Sequence, residues 1–407
     1  MESKSYDIQF VVSSNSADYD LSSYVNEITI KHSIKLIEPI FIISVQLPIL
    51  RALGFRIDSA TLVVSSYMFS NEPVFTYTYN LLPATYYADA YNNNQSAYPD
   101  QSTVNLGFKV KECYLTLSHK VPTITALNTN LRTVLSQIAP NNVNYMFTPN
   151  LNRNSYEQIF IPTQSFLGVL KYINKWFSYY PGATSITVHP DKEIVNVVIR
   201  DNNYLSTHNM SDLTIYNVLP MQSDSSFSSQ LEKQYSDPKV LVTNLPAVYK
   251  SNVPNSITQS NFRLTTIPRA KLYTNKTLDI SQFINKYGIV GKSFNVNNEN
   301  SLHNVNNSIQ LINHYVGYDQ SIDCYTSDKG LELSYMTKVG LIFNMSPKFG
   351  SVWAGLLFNL VINDPNTASY AGPYLIDSVT YSLRSDQTVS WICNIGIEGI
   401  RSNLNQY

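Results

Sequence analysis

Charge is the first scarcity in this 407-residue chain: only 14% of residues are Asp, Glu, Lys or Arg, and 28 basic against 29 acidic residues leave a net charge of −1. Phosphate backbones and anionic bilayers are held by dense positive charge, so nucleic-acid recognition and membrane-surface binding are not expected. Glycine is scarce too, at 14 residues. Phosphate-cradling loops need several glycines for close backbone approach, which sets nucleotide enzymes aside. Cys113, Cys324 and Cys393 are an odd number at long spacings, giving neither a disulfide framework nor a Cys-x-x-Cys metal clip. They read as buried thiols in strands. Long apolar runs are also missing. The window 34–53 is broken by Glu38, Pro39, Gln46, Pro48 and Arg51, and 352–362 is short of the roughly 20 residues a bilayer demands, so no membrane insertion is expected. The start, MESKSYDIQF, has no basic segment followed by an apolar run. The expectation is a soluble chain without a signal peptide, made in a cytoplasm.

What fills the space is neutral and polar: 30 tyrosines, and asparagine at about a tenth of the chain. Such a surface suits lasting protein contacts. At roughly 100 to 200 residues per domain, the length allows two to four domains. From residue 24 to about 119 apolar and polar residues alternate. Val25, Ile28 and Ile30, then Phe41, Ile43, Val45 and Leu47, then 62–69, then Phe75, Tyr77 and Tyr79 read as successive strands. Residues 86–101 have no period and read as a long surface loop, after which 106–117 resumes a strand pattern.

Beyond Pro122 the period changes. Leu131, Val134, Leu135 and Ile138 repeat at helical spacing before Pro140, and a second helix places Phe166, Leu167, Leu170, Ile173, Trp176 and Phe177 on one face, with Thr163 as N-cap and Pro181-Gly182 as its stop. Strands 185–188 and 194–199 follow. Residues 206–245 return to short strands; a helix over 280–287 and another over Val305–Val316, with Val305, Ile309, Ile312 and Val316 in phase, are expected within an insertion. The final hairpin alternates Leu375, Val379, Tyr381 and Leu383, turns at 385–387, and returns through Val389, Trp391, Cys393, Ile395 and Ile397.

One internal match stands out. Phe108, Val110, Cys113, Leu115 and Leu117 share their spacing with Tyr374, Ile376, Val379, Tyr381 and Leu383, including a phase slip that a β-bulge would produce. Chance is one explanation, since apolar strands abound; two related barrels is the other. The fold class expected is mainly β with α+β insertions: two related antiparallel β-barrels plus smaller peripheral α/β domains. The boundaries are 1–120 for the first barrel, 121–205 for an α+β middle domain, 206–245 with 318–407 for the second barrel, and 246–317 for an inserted domain with helices.

Catalytic motifs are not found. Gly288-Ile-Val-Gly291-Lys292-Ser293 resembles the end of a phosphate-binding loop, but Lys286 stands where the first glycine belongs and the segment follows a helix, so a helix cap and turn is the better reading. His32, His119, His189, His208, His303 and His314 form no metal-ligand spacing and read as surface or packing residues. No catalytic, cofactor-binding or metal residue is assigned. The pairs Tyr86-Tyr87 and Tyr179-Tyr180 could stack on sugars or bases, but a core edge or subunit interface is preferred because no basic groove accompanies them.

The C-terminal residues carry a resemblance. VIND at Val361–Asp364, a short polar loop, and PYLIDSVTYSLRSDQTVSWICNIGI at Pro373–Ile397 resemble the closing strands of the baseplate hub subunit of T-even contractile-tailed phages. YDQSIDCYT at Tyr318–Thr326 and FIPTQSFLGVLKYINKWF at Phe160–Phe177 are similar to that family's helix-to-strand passage and middle-domain helix. Domain order matches over most of the chain, residue-level similarity over about a quarter. Asn363, Asp364, Asp377, Val379 and Trp391 are the structural signature residues. The loop 86–101 and extra sequence over 345–356 depart from the pattern.

The resemblance implies a non-enzymatic virion protein of the tail baseplate, assembled in the host bacterial cytoplasm. It implies a homotrimer whose six barrels match a three-fold central spike to a six-fold tail tube. The partners implied are the spike protein, tail tube or tube-initiator proteins and baseplate wedge proteins. Type VI secretion spikes share the barrel pair. The alternative is a receptor- or glycan-binding tail or coat protein, which would dispense with the helices at 163–177 and 305–316.

Overall fold

In the computed structural model the described residues are 6–54, 56–67, 73–85, 103–180, 184–201, 211–218, 237, 239–251, 262–268, 274–278, 310–316, 336–344, 350–386 and 390–402. The loop 86–101, the helix expected over 280–287, residues 305–309, Lys292 and Cys324 lie outside them.

Alternation of apolar residues builds the first half. Strands β1 (Tyr6–Ser14), β2 (Ala17–Asp20), β3 (Val25–Ser33), β4 (Ile40–Gln46), β5 (Ser59–Tyr67), β6 (Pro73–Thr85) and β7 (Thr103–Val110) run in the spatial order β3-β4-β7-β6-β5-β1-β2. Every second residue of β4 (Phe41, Ile43, Val45) is fully buried. Phe10 and Phe108 meet edge-to-face inside, with ring centroids 5.9 Å apart. Pro48 ends the β4 ladder, having no N–H to donate, so Leu47 opens the short helix α1 (Leu47–Ala52) rather than continuing the strand.

The middle segment follows the helical spacing. After α2 (Lys111–Ser118) come β8 (Lys120–Val121), β9 (Ile124–Thr129), α3 (Leu131–Ile138), β10 (Val143–Phe147), β11 (Tyr156–Ile161), β12 (Gln164–Ser165), α4 (Phe166–Trp176), β13 (Thr184–Asp191) and β14 (Ile194–Asp201). Asn130 caps α3 by accepting the Thr133 N–H at 3.0 Å, and Leu131, Val134, Leu135 and Ile138 are its buried face, as the spacing predicts. Ser165, not Thr163, caps α4, accepting from Gly168 N. Both helices accompany a three-stranded sheet, β10-β14-β13, with β10 parallel to β14.

The second half adds β15 (Leu213–Asn217), β16 (Val240–Thr243), β17 (Val248–Ser251), β18 (Phe262–Pro268), β19 (Thr274–Leu278), β20 (Gln310–Val316), β21 (Met336–Asn344), β22 (Leu357–Ile362), β23 (Gly372–Asp386) and β24 (Ser390–Ser402). β16, β15, β22, β23, β24 and β21 are hydrogen-bonded in that order, and Thr243 Oγ1 donates to Ile342 O at 2.7 Å, bringing β16 round to β21. β17 pairs with β21, so this piece of the expected insertion belongs to the large sheet. β19-β18-β20 form a separate small sheet.

The hairpin β23–β24 joins both barrels. Gly372–Leu375 pairs with β22, while Ser378–Arg384 pairs with β3 of the first barrel. Between them Asp377 is an extra residue, because Ile376 faces Gly399 and Ser378 faces Glu398. Beyond the bulge the side-chain phase reverses, so that Tyr374 and Ile376 before it and Val379, Tyr381 and Leu383 after it are all buried. β1 packs beside the early part of β24, where the Tyr6 hydroxyl lies against the Cys393 thiol. The chain is thus mainly β, with two antiparallel-rich barrels that have one hairpin in common.

Three expectations are corrected. Phe108–Leu117 is not one strand: β7 stops at Val110 and α2 begins, with Leu115 on its exposed side. The phase slip there is a strand-to-helix change, whereas in Tyr374–Leu383 it is a true bulge, so the two segments are not equivalent strands. Cys113 is accordingly buried on a helix, although Cys393 is a strand thiol as expected. The helix proposed over Val305–Val316 is not formed over 310–316, which is β20, parallel to β18. Its four-three-four spacing is outweighed by pairing with a distant strand and by the β-favouring Ile312, Tyr315 and Val316.

Trp391 is 8% exposed, in the core of the shared hairpin, while its neighbour Ile392 faces out. Trp391→Ala should cost about 3 to 5 kcal/mol, and Ile392→Ala under about 1 kcal/mol. Urea titrations of the two variants check the contrast.

Candidate functional site

The signature residues are architectural. Asp364 closes the turn after β22, accepting Asn366 N and Thr367 Oγ1 at 3.0 Å each, and half-buried Asn363 leads into it. Asp377 is the bulge; its carbonyl accepts the Ile34 N–H at 2.9 Å. Burial pushes its carboxyl above the usual range and Glu398 adds to this, while Lys338 and Lys35 oppose it. Val379 and Trp391 are core. They act at separate points along the second-barrel strands and do not converge on a pocket.

A site the sequence did not announce lies where the first barrel, the middle segment and the second barrel meet. The stretch Gly350–Leu356, flagged only as extra sequence, is a buried strut into β22. Tyr381 Oη donates to Val352 O at 2.7 Å and accepts Val352 N at 3.1 Å. Thr187 of β13 donates to Ala354 O, and Gly355 N donates to Ile376 O. Gly355 has φ +86°, and a Cβ there would lie 2.2 Å from Thr187 Oγ1, so only glycine fits.

Trp353, 2% exposed, is the centre of this strut. His189 of β13 stacks on its indole (centroids 5.9 Å, planes 13° apart), His32 of β3 meets it edge-on at 5.6 Å, and Tyr381 stands at 6.0 Å. His32 Nδ1 accepts the Ala354 N–H at 3.2 Å, so the 3.0 Å contact of Nε2 with Ile37 O requires the proton on Nε2. Both lone-pair and proton positions are thereby used, and the ring is neutral. Burial pulls His32 down to about 4, the bond to Ile37 opposing. His189 is pulled down to about 3 by burial, with His32 adding to the effect. Among the described residues neither His189 ring nitrogen has a hydrogen-bond partner of good geometry, although the Pro190 backbone lies close enough to oppose the effect of burial.

His189 and Trp353 form the floor of a cavity of about 620 Å³ between β6 and the β13–β14 turn, with Tyr77, Tyr79 and Asn196 on its walls and Glu112, Asp191, Lys192 and Glu193 among its lining residues. A second tie crosses nearby: buried Arg200 of β14 pairs with Asp212 at 2.9 Å, and the same Asp212 oxygen accepts Leu357 N at the start of β22. Of the histidines expected to be surface or packing residues, His32 and His189 are buried, and Tyr179-Tyr180 are buried rather than presented to a ligand. His119 is exposed. His208 and His303 lie outside the described residues, and of His314 only the backbone, in β20, is described.

No family model and no curated protein matches the sequence. The chain is similar to solved structures. A tail protein from Neisseria meningitidis MC58 is 9% identical, with 97% of this chain and 96% of that one covered at a TM-score of 0.50. A 43 kDa tail protein of prophage MuSo2 from Shewanella oneidensis is 11% identical over 98% of both chains, at 0.46. A chain of the Francisella PdpA–VgrG complex is 13% identical, with 99% of this chain but 54% of that one covered, also at 0.46.

The two buried histidines set a pH dependence. An unfolded histidine titrates near 6.5, and these titrate far lower when folded, so their stabilising contribution is whole above about pH 7 and is lost as pH falls toward 4. Each should remove about 2 kcal/mol between pH 7.5 and 5. Urea midpoints at the two pH values check this, and His189→Phe, which keeps the stacking on Trp353 without titrating, should remove about half of the dependence.

Proposed function

We propose that this chain is a structural hub subunit of a contractile tail or related injection machine, located in the tail baseplate and assembled in the bacterial cytoplasm. One observation carries the reading: two barrels in one chain are locked together through a common hairpin, in a fold like that of a tail protein along nearly the whole length of both chains. A rigid barrel pair is what a three-fold assembly needs in order to present six barrels to a six-fold tube. Three copies would make that ring, with the spike below, tube or tube-initiator proteins above and wedge proteins outside. The role is non-catalytic.

Surface character supports assembly. Leu127 and Phe160 are exposed diagonal neighbours on one face of the β9–β11 pair. Val248 and Ile342 are likewise exposed and diagonal on the outside of β17–β21. Burying such side chains contributes about 1.5 to 3 kcal/mol each, so both faces fit subunit contacts.

The purified protein, alone or with its spike, should have the mass of a trimer by light scattering and form a ring about as wide as a tail tube in negative stain. Leu127→Asp with Phe160→Asp or Val248→Asp with Ile342→Asp should shift it toward monomer. A persistent monomer in the presence of the spike, or knobs and fibres in the images, would overturn the hub assignment.

A further inference from the structure

We propose that the β1–β2 hairpin of one copy docks, through Asp18, Tyr19 and Asp20, into a cavity in the middle segment of the next copy, between α3, β10 and the loop 148–153. The proposal rests on the hub reading in one respect, that copies of the chain meet head to tail in a closed ring.

The cavity has a volume of about 530 Å³. Half-buried Tyr145 and Phe147 of β10 stand on its wall, their ring centroids 5.4 Å apart and their planes 17° apart. Exposed Arg132, from the first turn of α3, and exposed Arg153, from the loop before β11, both line it. The backbone presenting them is fixed. Asn130 caps α3 through Thr133 N, and Asn152, beside Arg153, donates to Phe177 O at 3.0 Å and Ser178 O at 2.9 Å while its oxygen accepts Asn154 N. The wall is held as well, by Tyr145 Oη donating to Leu135 O at 3.3 Å and Arg200 Nη1 donating to Phe147 O at 3.1 Å. No carboxylate is among the lining residues, and the ion pairs of the described residues include neither Arg132 nor Arg153. Two positive charges at one concave surface without a counter-charge favour an anionic partner.

An independent observation identifies that partner. All four residues of β2 are exposed, and the strand lies at the end of its sheet, paired with β1 alone. It buries no side chain of its own, and Asp is a poor strand former, so the fold of a single copy does not account for Asp18-Tyr19-Asp20. The hairpin is nonetheless rigid. Asn15 N donates to Asp58 Oδ2 at 3.0 Å at the turn, and buried Leu21 donates its N–H to Phe10 O at 2.8 Å just beyond β2. Asp18 and Asp20 share one face, in register with Ser13 and Val11, and Tyr19 between them is 41% exposed. Oδ1 of Asp18 accepts from Ser13 and Oδ1 of Asp20 from Ser22, while Oδ2 of each has no bond among the described residues. Ser22 holds the Asp20 carboxyl below its usual range, so the charge is present at neutral pH.

Two carboxylates flanking a phenol ring answer two guanidiniums beside an aromatic wall. Guanidinium forks match carboxylates, and the Tyr19 ring can pack offset against Tyr145 or Phe147. Inorganic phosphate would leave the rings unused, and a neutral sugar would leave the guanidiniums without counter-charge. Because β2 and the cavity are each open to solvent within one copy, the contact joins different copies, and because the two surfaces differ it is of the head-to-tail kind that closes a ring.

The test replaces Tyr19 by p-benzoylphenylalanine in the full-length protein and irradiates a mixture of unlabelled and 15N-labelled copies, whose mass is followed in parallel by light scattering. Mixed-isotope crosslinks into residues 130–153 are expected. Arg132→Glu with Arg153→Glu, both exposed, should lower their yield at least about tenfold, and adding Asp18→Lys with Asp20→Lys should restore it. Crosslinks elsewhere or none, indifference to the arginine changes, or no restoration would overturn the proposal. If trimers form in such a sample, the hub reading stands without this contact; crosslinks into 130–153 without trimers keep the contact and count against the ring. A second measurement uses the chain carrying Asp18→Lys and Asp20→Lys alone, whose own hairpin no longer competes, and titrates it with a peptide of residues 14–22, methyl β-glucuronide and inorganic phosphate, observed by ligand NMR. The peptide should bind most tightly. Tighter binding of the glucuronide or of phosphate would assign the cavity to an acidic glycan or a free anion and overturn the proposal.

Discussion

Backbone hydrogen bonding along β23 is the constraint on which both halves of the chain depend, because this one strand supplies the ladder for β22 before Asp377 and for β3 after it. A plain strand could not do both. Without the extra residue, every apolar side chain beyond position 377 would point away from the core it now fills. The bulge resets the phase, so Tyr374 and Ile376 before it and Val379, Tyr381 and Leu383 after it all enter one continuous hydrophobic core. β24 repeats the arrangement on its far side, with β21 along Asn394–Ser402 and β1 packed near its start. Neither barrel is complete without the hairpin.

The strut is the second tie, and it is made of different chemistry. Gly350–Leu356 has few ladder bonds of its own; it is held by a tyrosine hydroxyl from β23, an imidazole from β3 and a threonine hydroxyl from β13. Each of those donors or acceptors comes from a different unit. Removing one leaves a buried polar group without its partner, which costs about 1 to 3 kcal/mol. The same crowding that fixes Trp353 buries His189 flat against its indole. The Arg200–Asp212 pair adds a charged bond in parallel, binding β14 to the edge of the second barrel.

Much of this was legible in the sequence wherever a period was unambiguous. The alternation in β3, β4 and β23–β24, and the i, i+3, i+4 spacing of Leu131, Val134, Leu135 and Ile138, each match one geometry only. Ambiguity arose in short runs. Cys113, Leu115 and Leu117 alternate like a strand, yet Cys113, Thr116 and Leu117 also share a helical face, and tertiary packing chose the helix. At 310–316 the reverse happened: helical spacing yielded to pairing with β18. The phase slip within Tyr374–Leu383 reads as a bulge, and the register shift is found there, at Asp377. The junction was not legible at all. His32, His189 and Trp353 are far apart in the chain, and nothing local to any of them says that two imidazoles flank one indole.

Native-state hydrogen exchange tests the central claim, that the two barrels are one cooperative unit because they share β23–β24. Amides of β3 in the first barrel and of β21 in the second would be followed by mass spectrometry in rising, sub-denaturing urea. The account predicts that the slowest amides of both strands open with the same free energy and the same urea dependence as β23–β24, as parts of a single foldon. If β3 and β21 open independently, with different urea dependences and while the hairpin remains protected, the shared hairpin does not hold the barrels together and the account is contradicted.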